Sequence, residues 1–206
     1  MSIKANLSLA ILAGGKSRRF GSPKFQAHFM SQTLLDIMLQ KAFTLSENCM
    51  VIAGQTPVSL QKNIPVYTDI YPDCGPLGGL YTALYHSNQP LVAILPCDMP
   101  LLDPAIYQIL LEPMVPDRPI VAVSERGLEP LVSIWPVADS LPLISQNLKD
   151  KKLSLYKILK ELEAIPLNIQ EHMADYKPEL FININYPADL RQLELLIKDN
   201  HVIEEV

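Results

Sequence analysis

Short apolar runs alternate with amphipathic stretches along nearly the whole chain, and this alternation limits the fold more than any other feature of the sequence. Apolar runs predict buried strands, whereas apolar residues spaced three and four positions apart predict helices. The predicted strands are Leu7–Leu12, Met50–Ala53, Ile64–Thr68, Leu91–Leu95, Ile120–Val123, Leu131–Trp135 and Phe181–Ile184. The predicted helices are Ser31–Ser46 with Ser31 as its cap, Leu77–Ser87, Asp103–Leu111, Pro136–Lys149, Ser154–Glu163 and Pro187–Lys198. We expect an α/β fold of three layers (α/β/α, Rossmann-like) with a mostly parallel sheet, forming one domain over residues 1–206.

Composition excludes several classes of protein. The chain has 206 residues, of which 49% are apolar and 19% charged, and its net charge of −5 argues against a general nucleic-acid-binding surface. No apolar run approaches the ~20 residues that span a membrane. The three cysteines form no CxxC pair, which argues against a disulfide framework or a zinc site. We therefore expect a cytoplasmic protein that binds neither nucleic acid nor membrane.

The segment Leu12–Lys24, directly after the first predicted strand, has the character of an anion-binding loop. Its adjacent glycines, Gly14 and Gly15, allow backbone N–H groups to approach an anion closely. The loop also contains four cationic residues, Lys16, Arg18, Arg19 and Lys24. Because like charges repel one another, this cluster favours an anionic partner such as a triphosphate.

A phosphate loop of the GxxxxGK[ST] type can be excluded. Gly15-Lys16-Ser17 matches the end of that motif, but its first glycine would fall at Ala10. Ala10 lies inside the predicted strand, where such a loop should already have begun.

Acidic and amide side chains follow other predicted strands. Asp98 comes after Leu91–Leu95 and Asp69 after Ile64–Thr68, so both are expected at the ligand-binding edge of the sheet. One or two carboxylates, completed by water and substrate phosphates, suffice for Mg²⁺, and Asp98 is the predicted ligand. Asn183 and Asn185 are predicted to share one face of the late strand and to hold the metal or a substrate phosphate.

Five blocks of sequence resemble, in the family order, those of the molybdenum cofactor guanylyltransferase (MobA) family. Leu12–Lys24 resembles the LAGGxSxRMGxxK signature of this family, with Phe20 in place of methionine. The other blocks are Asp69 with Gly75-Pro76-Leu77-Gly78-Gly79 (D…GPLxG), Pro96-Cys97-Asp98-Met99-Pro100 (CDxP), Glu129-Pro130-Leu131 (the PL strand) and Asn183–Leu190 (NxNTPxDL, with Tyr186 for threonine). Together the blocks cover most of the chain.

The resemblance implies a GT-A-like nucleotidyltransferase fold and transfer of GMP from GTP to the terminal phosphate of molybdenum-bound molybdopterin, with release of pyrophosphate. It implies Mg²⁺ as the cofactor, with Mn²⁺ as an alternative, and Arg19, Lys24 and Asp98 as catalytic residues. The nucleotide and acceptor would be held by a set of loop and strand-end residues. That set is Leu12, Ala13, Gly14, Gly15, Lys24, Asp69, Asp98, Asn183 and Asn185.

One departure and two alternatives accompany this interpretation. Many family members have a nucleotide-holding asparagine after the second strand, where this chain reads Ala53-Gly54-Gln55, so Gln55 or backbone groups would substitute. A sibling enzyme could use CTP or another acceptor phosphate, although such cytidylyl enzymes usually read LAAG at Leu12–Gly15. A nonenzymatic nucleotide-binding regulator could also share the fold. We expect a monomer or weak oligomer with transient contacts to other cofactor-biosynthesis proteins.

Overall fold

The computed structural model describes residues 6–15, 20–56, 58, 60 and 64–204, with side chains as far as residue 197. The strands are β1 (Leu7–Leu12), β2 (His28–Phe29), β3 (Gln32–Thr33), β4 (Cys49–Ile52), β5 (Val66–Tyr67), β6 (Leu91–Pro96), β7 (Ile120–Ser124), β8 (Gly127–Pro136) and β9 (Ile165–Asn168). The α-helices are α1 (Leu34–Leu45), α2 (Gly75–His86), α3 (Ala105–Leu111), α4 (Val137–Lys149), α5 (Leu155–Glu161), α6 (Ile169–His172) and α7 (Pro187–Glu204). Two 3₁₀ helices span Lys24–Gln26 and Pro178–Phe181.

Seven of these strands form one sheet in the order β5-β4-β1-β6-β8-β7-β9. Strands β5, β4, β1 and β6 pair in parallel, as do β7 and β9, whereas β8 is antiparallel to both of its neighbours. The carboxyl ends of the parallel strands consequently meet at one edge, and β8 begins at that same edge. Ligands bind at this edge in open α/β sheets.

A core layer covers each face of the sheet. The first layer packs α1 and α3 against the sheet and includes Met38, Ile106 and Ile184. The second layer packs α2, α4 and α5 on the opposite face around Trp135 and Ile158. The predicted three-layer, mostly parallel α/β fold is therefore confirmed. Among the residues that the structure describes, no helix is long and apolar enough to span a membrane.

The predicted start of the first helix is wrong. Ser31 does not cap it, because the residues around Ser31 form the turn and second strand of the β2–β3 hairpin. The helix begins at Leu34, and Thr33 is its cap, with Oγ1 accepting a hydrogen bond from the Asp36 N–H at 3.1 Å. A threonine followed by an acidic residue in the first turn satisfies the free N–H groups of a helix start better than Ser31 could from the hairpin turn.

The predicted strand Phe181–Ile184 is also wrong. Phe181 ends a 3₁₀ helix, and Phe181 and Ile184 are instead buried in the first core layer. The sheet gains its last strand from Ile165–Asn168, a segment that the sequence did not predict. Its Pro166 argues against a central strand, and β9 accommodates proline because it lies at the edge of the sheet.

Candidate active site

The double-glycine turn packs directly against the loop that follows β4. A Cβ atom on Gly14 would lie 3.0 Å from the backbone nitrogen of Gly54, which is tighter than nine in ten real Cβ contacts. Gly54 itself has a φ of +61°, which a residue with a side chain rarely adopts. The Asp69 N–H donates to the Gly54 carbonyl at 3.1 Å and joins a third loop to the pair. The close contact between Gly14 and Gly54, together with this hydrogen bond, brings the loops after β1, β4 and β5 together at the end of the sheet.

Lys24 and Asp98, which are 74 residues apart in the sequence, form an ion pair with 2.8 Å between Lys24 Nζ and Asp98 Oδ2. Lys24 begins the first 3₁₀ helix, and Asp98 lies just beyond β6. Their side chains are 20% and 28% exposed, so both remain accessible to a ligand. The basic loop and the acidic strand end thus meet at one site.

Asp69 presents a buried carboxylate oxygen to the same region. Its Oδ1 atom has no hydrogen-bond partner among the described residues, and burial raises the pKa of this carboxyl. A Cβ atom on Gly79, in the first turns of α2, would lie 3.8 Å from Oδ1 and 3.3 Å from Leu12 Cδ2, so α2 packs closely against this carboxylate. An N–H donor from a ligand would satisfy the oxygen.

These groups line one cleft of about 710 Å³ at the carboxyl edge of the sheet. Eight of the predicted site residues contribute to its wall: Leu12, Ala13, Gly14, Gly15, Lys24, Asp69, Asp98 and Asn185. Gln55, the expected substitute for the family asparagine, lines it as well. Arg19, a predicted catalytic residue, lies outside the described residues.

Asn183 is not among the residues that line the cleft. The predicted strand would have placed Asn183 and Asn185 on the same face, but no strand forms here. Instead, the Ile184 N–H donates to the Asp98 carbonyl at 2.8 Å, and Asp189 Oδ2 accepts from the N–H groups of Asn185 and Tyr186. These bonds hold Asn185 beside Asp98 at the start of α7.

Sequence reasoning did not identify Lys41, a residue of α1, as part of this region. Its Nζ atom donates to the carbonyls of Pro100 and Leu102 at 2.6 and 2.8 Å, and so fixes the loop that begins with Asp98. Burial lowers the pKa of Lys41 to about 8, against an opposing effect of the nearby Asp103. A lysine in an amphipathic helix is normally predicted to be exposed to solvent. Its contact with Pro100, which is 59 residues away in the sequence, cannot be inferred from the local sequence pattern.

One protein family matches most of this chain. Residues 9–165 match the family model described as the MobA-like NTP transferase domain. The chain is 31% identical over 198 residues to a probable molybdenum cofactor guanylyltransferase of Carboxydothermus hydrogenoformans, covering 91% of this chain and 95% of the relative. A similar relative from Flavobacterium johnsoniae is 30% identical, with 92% and 97% covered.

Solved structures share the fold. The molybdopterin-guanine dinucleotide biosynthesis protein A of Archaeoglobus fulgidus superimposes with a TM-score of 0.80 at 20% identity, covering 93% of this chain and 99% of that one. The 2-C-methyl-D-erythritol 4-phosphate cytidylyltransferase of Thermus thermophilus reaches 0.68 at 13% identity, with 92% and 98% covered. At these identities the likeness concerns the fold alone.

Proposed function

We propose that this chain, which belongs to the MobA-like NTP transferase family, transfers GMP from GTP to the terminal phosphate of molybdenum-bound molybdopterin. The products are the molybdopterin guanine dinucleotide cofactor and pyrophosphate. The observation that carries the proposal is that the Lys24–Asp98 pair and the buried carboxylate of Asp69 share one cleft with the Gly14-Gly15 turn. The names of relatives at about 30% identity supply the acceptor.

Asp69 supports guanine as the base. The guanine ring presents two adjacent donors, N1–H and the 2-amino group, which a carboxylate can accept together. The buried Oδ1 atom of Asp69 lacks a partner among the described residues, so a guanine edge would satisfy it. Gln55 lines the cleft nearby, and we expect it or backbone groups to substitute for the family asparagine.

The residues present fit a nucleotide-bound Mg²⁺. Within the described ranges, no group of three or more His, Cys, Asp or Glu side chains could hold a metal by itself. Mg²⁺ needs only one or two carboxylates when substrate phosphates and water complete its shell. Asp98, with the Asn185 amide beside it, would hold the ion, with Mn²⁺ as an alternative. When bound, the ion neutralises charge on the transferred phosphate.

The chain itself would position the reactants and balance charge. The backbone amides of Gly14 and Gly15, together with Arg19, would cradle the β and γ phosphates, while Lys24 would balance negative charge at the α phosphate. The attacking oxygen belongs to a phosphate that is already ionised near neutral pH, so no general base is required. Catalysis then depends on proximity and electrostatics.

The setting of the reaction is also part of the proposal. We place the enzyme in the cytoplasm, as a single-domain monomer or weak oligomer that contacts other cofactor-biosynthesis proteins transiently. Neither nucleic acid nor membrane is a partner.

The test is to incubate the purified protein with α-labelled GTP, Mg²⁺ and molybdopterin, followed by product analysis. We expect label in a dinucleotide and release of pyrophosphate, with CTP and ATP as poor donors. Lys24→Ala and Asp98→Ala should each lower the transfer rate by roughly 10²–10³, because each removes charge stabilisation at the reacting phosphate. Asp117→Ala, at a side chain that is 71% exposed, is the matched control.

Two results would contradict the proposal. Preference for CTP would assign the chain to the sibling cytidylyl reaction, and binding of GTP without pyrophosphate release would favour a nonenzymatic regulator. Near-wild-type turnover by either alanine variant would refute the role given to that residue.

A further inference from the structure

Helix α2 differs from the other long helices because it carries no charged residue. Helices α1, α4 and α7 each contain Asp, Glu, Lys or Arg. The sequence of α2 contains none of these, and neither does the whole stretch of residues 74–97. A helix at the surface of a protein normally directs charged side chains toward the solvent. A different kind of side chain therefore forms the outer surface of α2.

That outer surface is a row of aromatic rings, which we call the aromatic face. It consists of Tyr67 of β5, Tyr71 in the loop before α2, and Tyr81, Tyr85 and His86 of α2. Tyr67 stacks on His86, with ring centroids 3.8 Å apart and an angle of 7° between the ring planes. Tyr85 contacts His86 and Tyr81, at centroid distances of 5.2 and 6.1 Å. Tyr81 in turn contacts Tyr71 at 5.0 Å, so the five rings form one connected surface.

The aromatic face lies at one edge of the molecule. Strand β5 is the outermost strand of the sheet on this side. Three of the tyrosines pack in part against the second core layer, whereas Tyr85 is 58% exposed. Ile70, which is 42% exposed, extends the surface, because its N–H donates to Thr82 Oγ1 of α2 at 3.0 Å. The face is consequently accessible to another molecule from outside.

The chemistry of the aromatic face is that of a protein interface. The centres of protein interfaces are enriched in tyrosine and depleted of charged residues. Contiguous apolar surfaces of a soluble protein commonly mark interaction sites. His86 does not add charge at neutral pH, because burial lowers its pKa below the ordinary value of 6.5. The whole face is therefore uncharged when the protein is near neutral pH.

The absence of charge on this face also indicates which partner it fits. The chain has a net charge of −5, so two copies repel one another over much of their surface. In a symmetric dimer the same patch of both copies meets, so a charged patch would bring like charges together. An uncharged aromatic face avoids this repulsion. A partner of opposite charge or a membrane would instead select charged side chains, which the five rings do not supply.

We propose that the aromatic face docks on the aromatic face of a second copy of this chain and forms a symmetric dimer centred on Tyr85. Tyrosine rings pair in stacked and edge-to-face arrangements, as they already do within one copy. Stable interfaces bury about 800 Å² on each partner, and five partly exposed rings provide less than this, so the dimer is weak, with a Kd on the order of 10 μM. None of the five rings lines the cleft, so the dimer does not depend on the proposed reaction.

The experiment is sedimentation equilibrium of the full-length protein without substrates, at about 1 to 500 μM, a range that brackets the Kd of a weak dimer. The weight-average mass of wild type should rise from that of a monomer toward that of a dimer. Tyr85→Lys should raise the dimer Kd by roughly 10-fold or more, because like charges then face each other. The matched control is Tyr156→Lys, at a tyrosine of α5 that is also 58% exposed, and it should dimerise as wild type does.

A mixture of two variants tests whether the partner is a second copy. Tyr85→Lys and Tyr85→Glu should each be monomeric alone, and their equimolar mixture should form dimers, because opposite charges then meet across the contact. Thermal melting at low concentration checks that both variants fold as wild type does. If either does not, Ile70→Lys introduces a charge into the same face and should weaken the dimer as Tyr85→Lys would.

Four results would overturn the inference. Wild type that stays monomeric at every concentration would leave the aromatic face to a different partner. A dimer that the lysine variants of this face leave intact would form through another surface. An equal loss of dimer in Tyr156→Lys would show a general effect of charge, and a mixture of the Tyr85 variants that stays monomeric would exclude the symmetric contact.

Discussion

At the scale of single residues, Asp69 is a group that lowers the stability of the protein when no ligand is bound. Its Oδ1 atom is buried and lacks a partner among the described residues, and desolvation raises the pKa of the carboxyl. A raised carboxyl pKa means that the folded state retains its proton more readily than the unfolded state does. The contribution of this group to stability is therefore present in acid and is lost as the pH rises through its folded pKa.

Asp69→Asn should consequently stabilise the nucleotide-free protein and weaken GTP binding. At neutral pH we expect a higher melting temperature than wild type, and the difference should shrink as the pH falls into the range where Asp69 is protonated. GTP affinity should fall by roughly 10- to 100-fold, because the amide offers only one acceptor to the guanine edge. Thermal melting across pH, together with GTP titration, measures both effects. A lower melting temperature with unchanged GTP affinity would contradict this account.

Site residues were predictable wherever a strand end identified them. Asp69 and Asp98 directly follow apolar runs, and topology then brings them to one edge, so both line the cleft as expected. Asn183 was assigned from a strand pattern, and the 3₁₀ helix before it removes that geometry.

At the scale of elements, helix α1 supports the loop that follows Asp98 through Lys41. Its two hydrogen bonds reach the carbonyls of Pro100 and Leu102, directly after Asp98. A neutral amine still has two protons to donate, so both bonds can persist after Lys41 loses its charge. The buried position lowers the pKa of Lys41 from 10.5 to about 8.

This lowered pKa gives Lys41 a distinct pH signature. Between about pH 8 and 10.5 the unfolded state binds more protons at Lys41 than the folded state does, so its contribution to the free energy of unfolding rises with pH. Lys41→Met leaves two carbonyls without their donor, which costs roughly 1–3 kcal/mol for each. We expect the difference in unfolding free energy between wild type and Lys41→Met to grow over this pH window, as measured by urea denaturation.

The control for Lys41→Met is Lys157→Met, which removes an exposed lysine from α5. The thiol of Cys49, whose pKa burial raises to about 11, destabilises the fold at high pH but is present in every variant. Its effect therefore cancels in the difference. A difference that stays flat or shrinks as the pH rises would show that Lys41 is not held in a desolvated site.

Strands were predicted well from the sequence where a nearly continuous apolar run marks them. Strand β1 has the predicted bounds, and β6 differs from its prediction by one residue. Helix α1 was extended too far at its start, because Ser31 and Thr33 are both acceptable caps and only the hairpin decides between them. Strand β9 is four residues long and contains Pro166, so its strand conformation depends on pairing with β7.

At the scale of the whole molecule, the cleft joins parts of the chain that are distant in sequence. Gly14, Asp69, Asp98 and Asn185 come from four separate loops, and all of them line it. A ligand that contacts them together binds the folded state alone, so it must raise the stability of the entire protein. If Asp98 holds Mg²⁺ against the nucleotide phosphates, the increase in stability should be smaller when the ion is removed.

GTP with Mg²⁺ should therefore raise the melting temperature of the wild-type protein by about 5–10 °C when the nucleotide is present at 100 times its Kd. Removing the metal with EDTA should abolish most of this rise in melting temperature. Asp98→Ala should show a small shift that EDTA does not change further, because the variant lacks the carboxylate through which the ion joins phosphate to protein. Asp117→Ala should behave as wild type does. If EDTA leaves the wild-type shift intact, nucleotide binding does not require a divalent ion, and the metal role of Asp98 is refuted even if GTP itself binds.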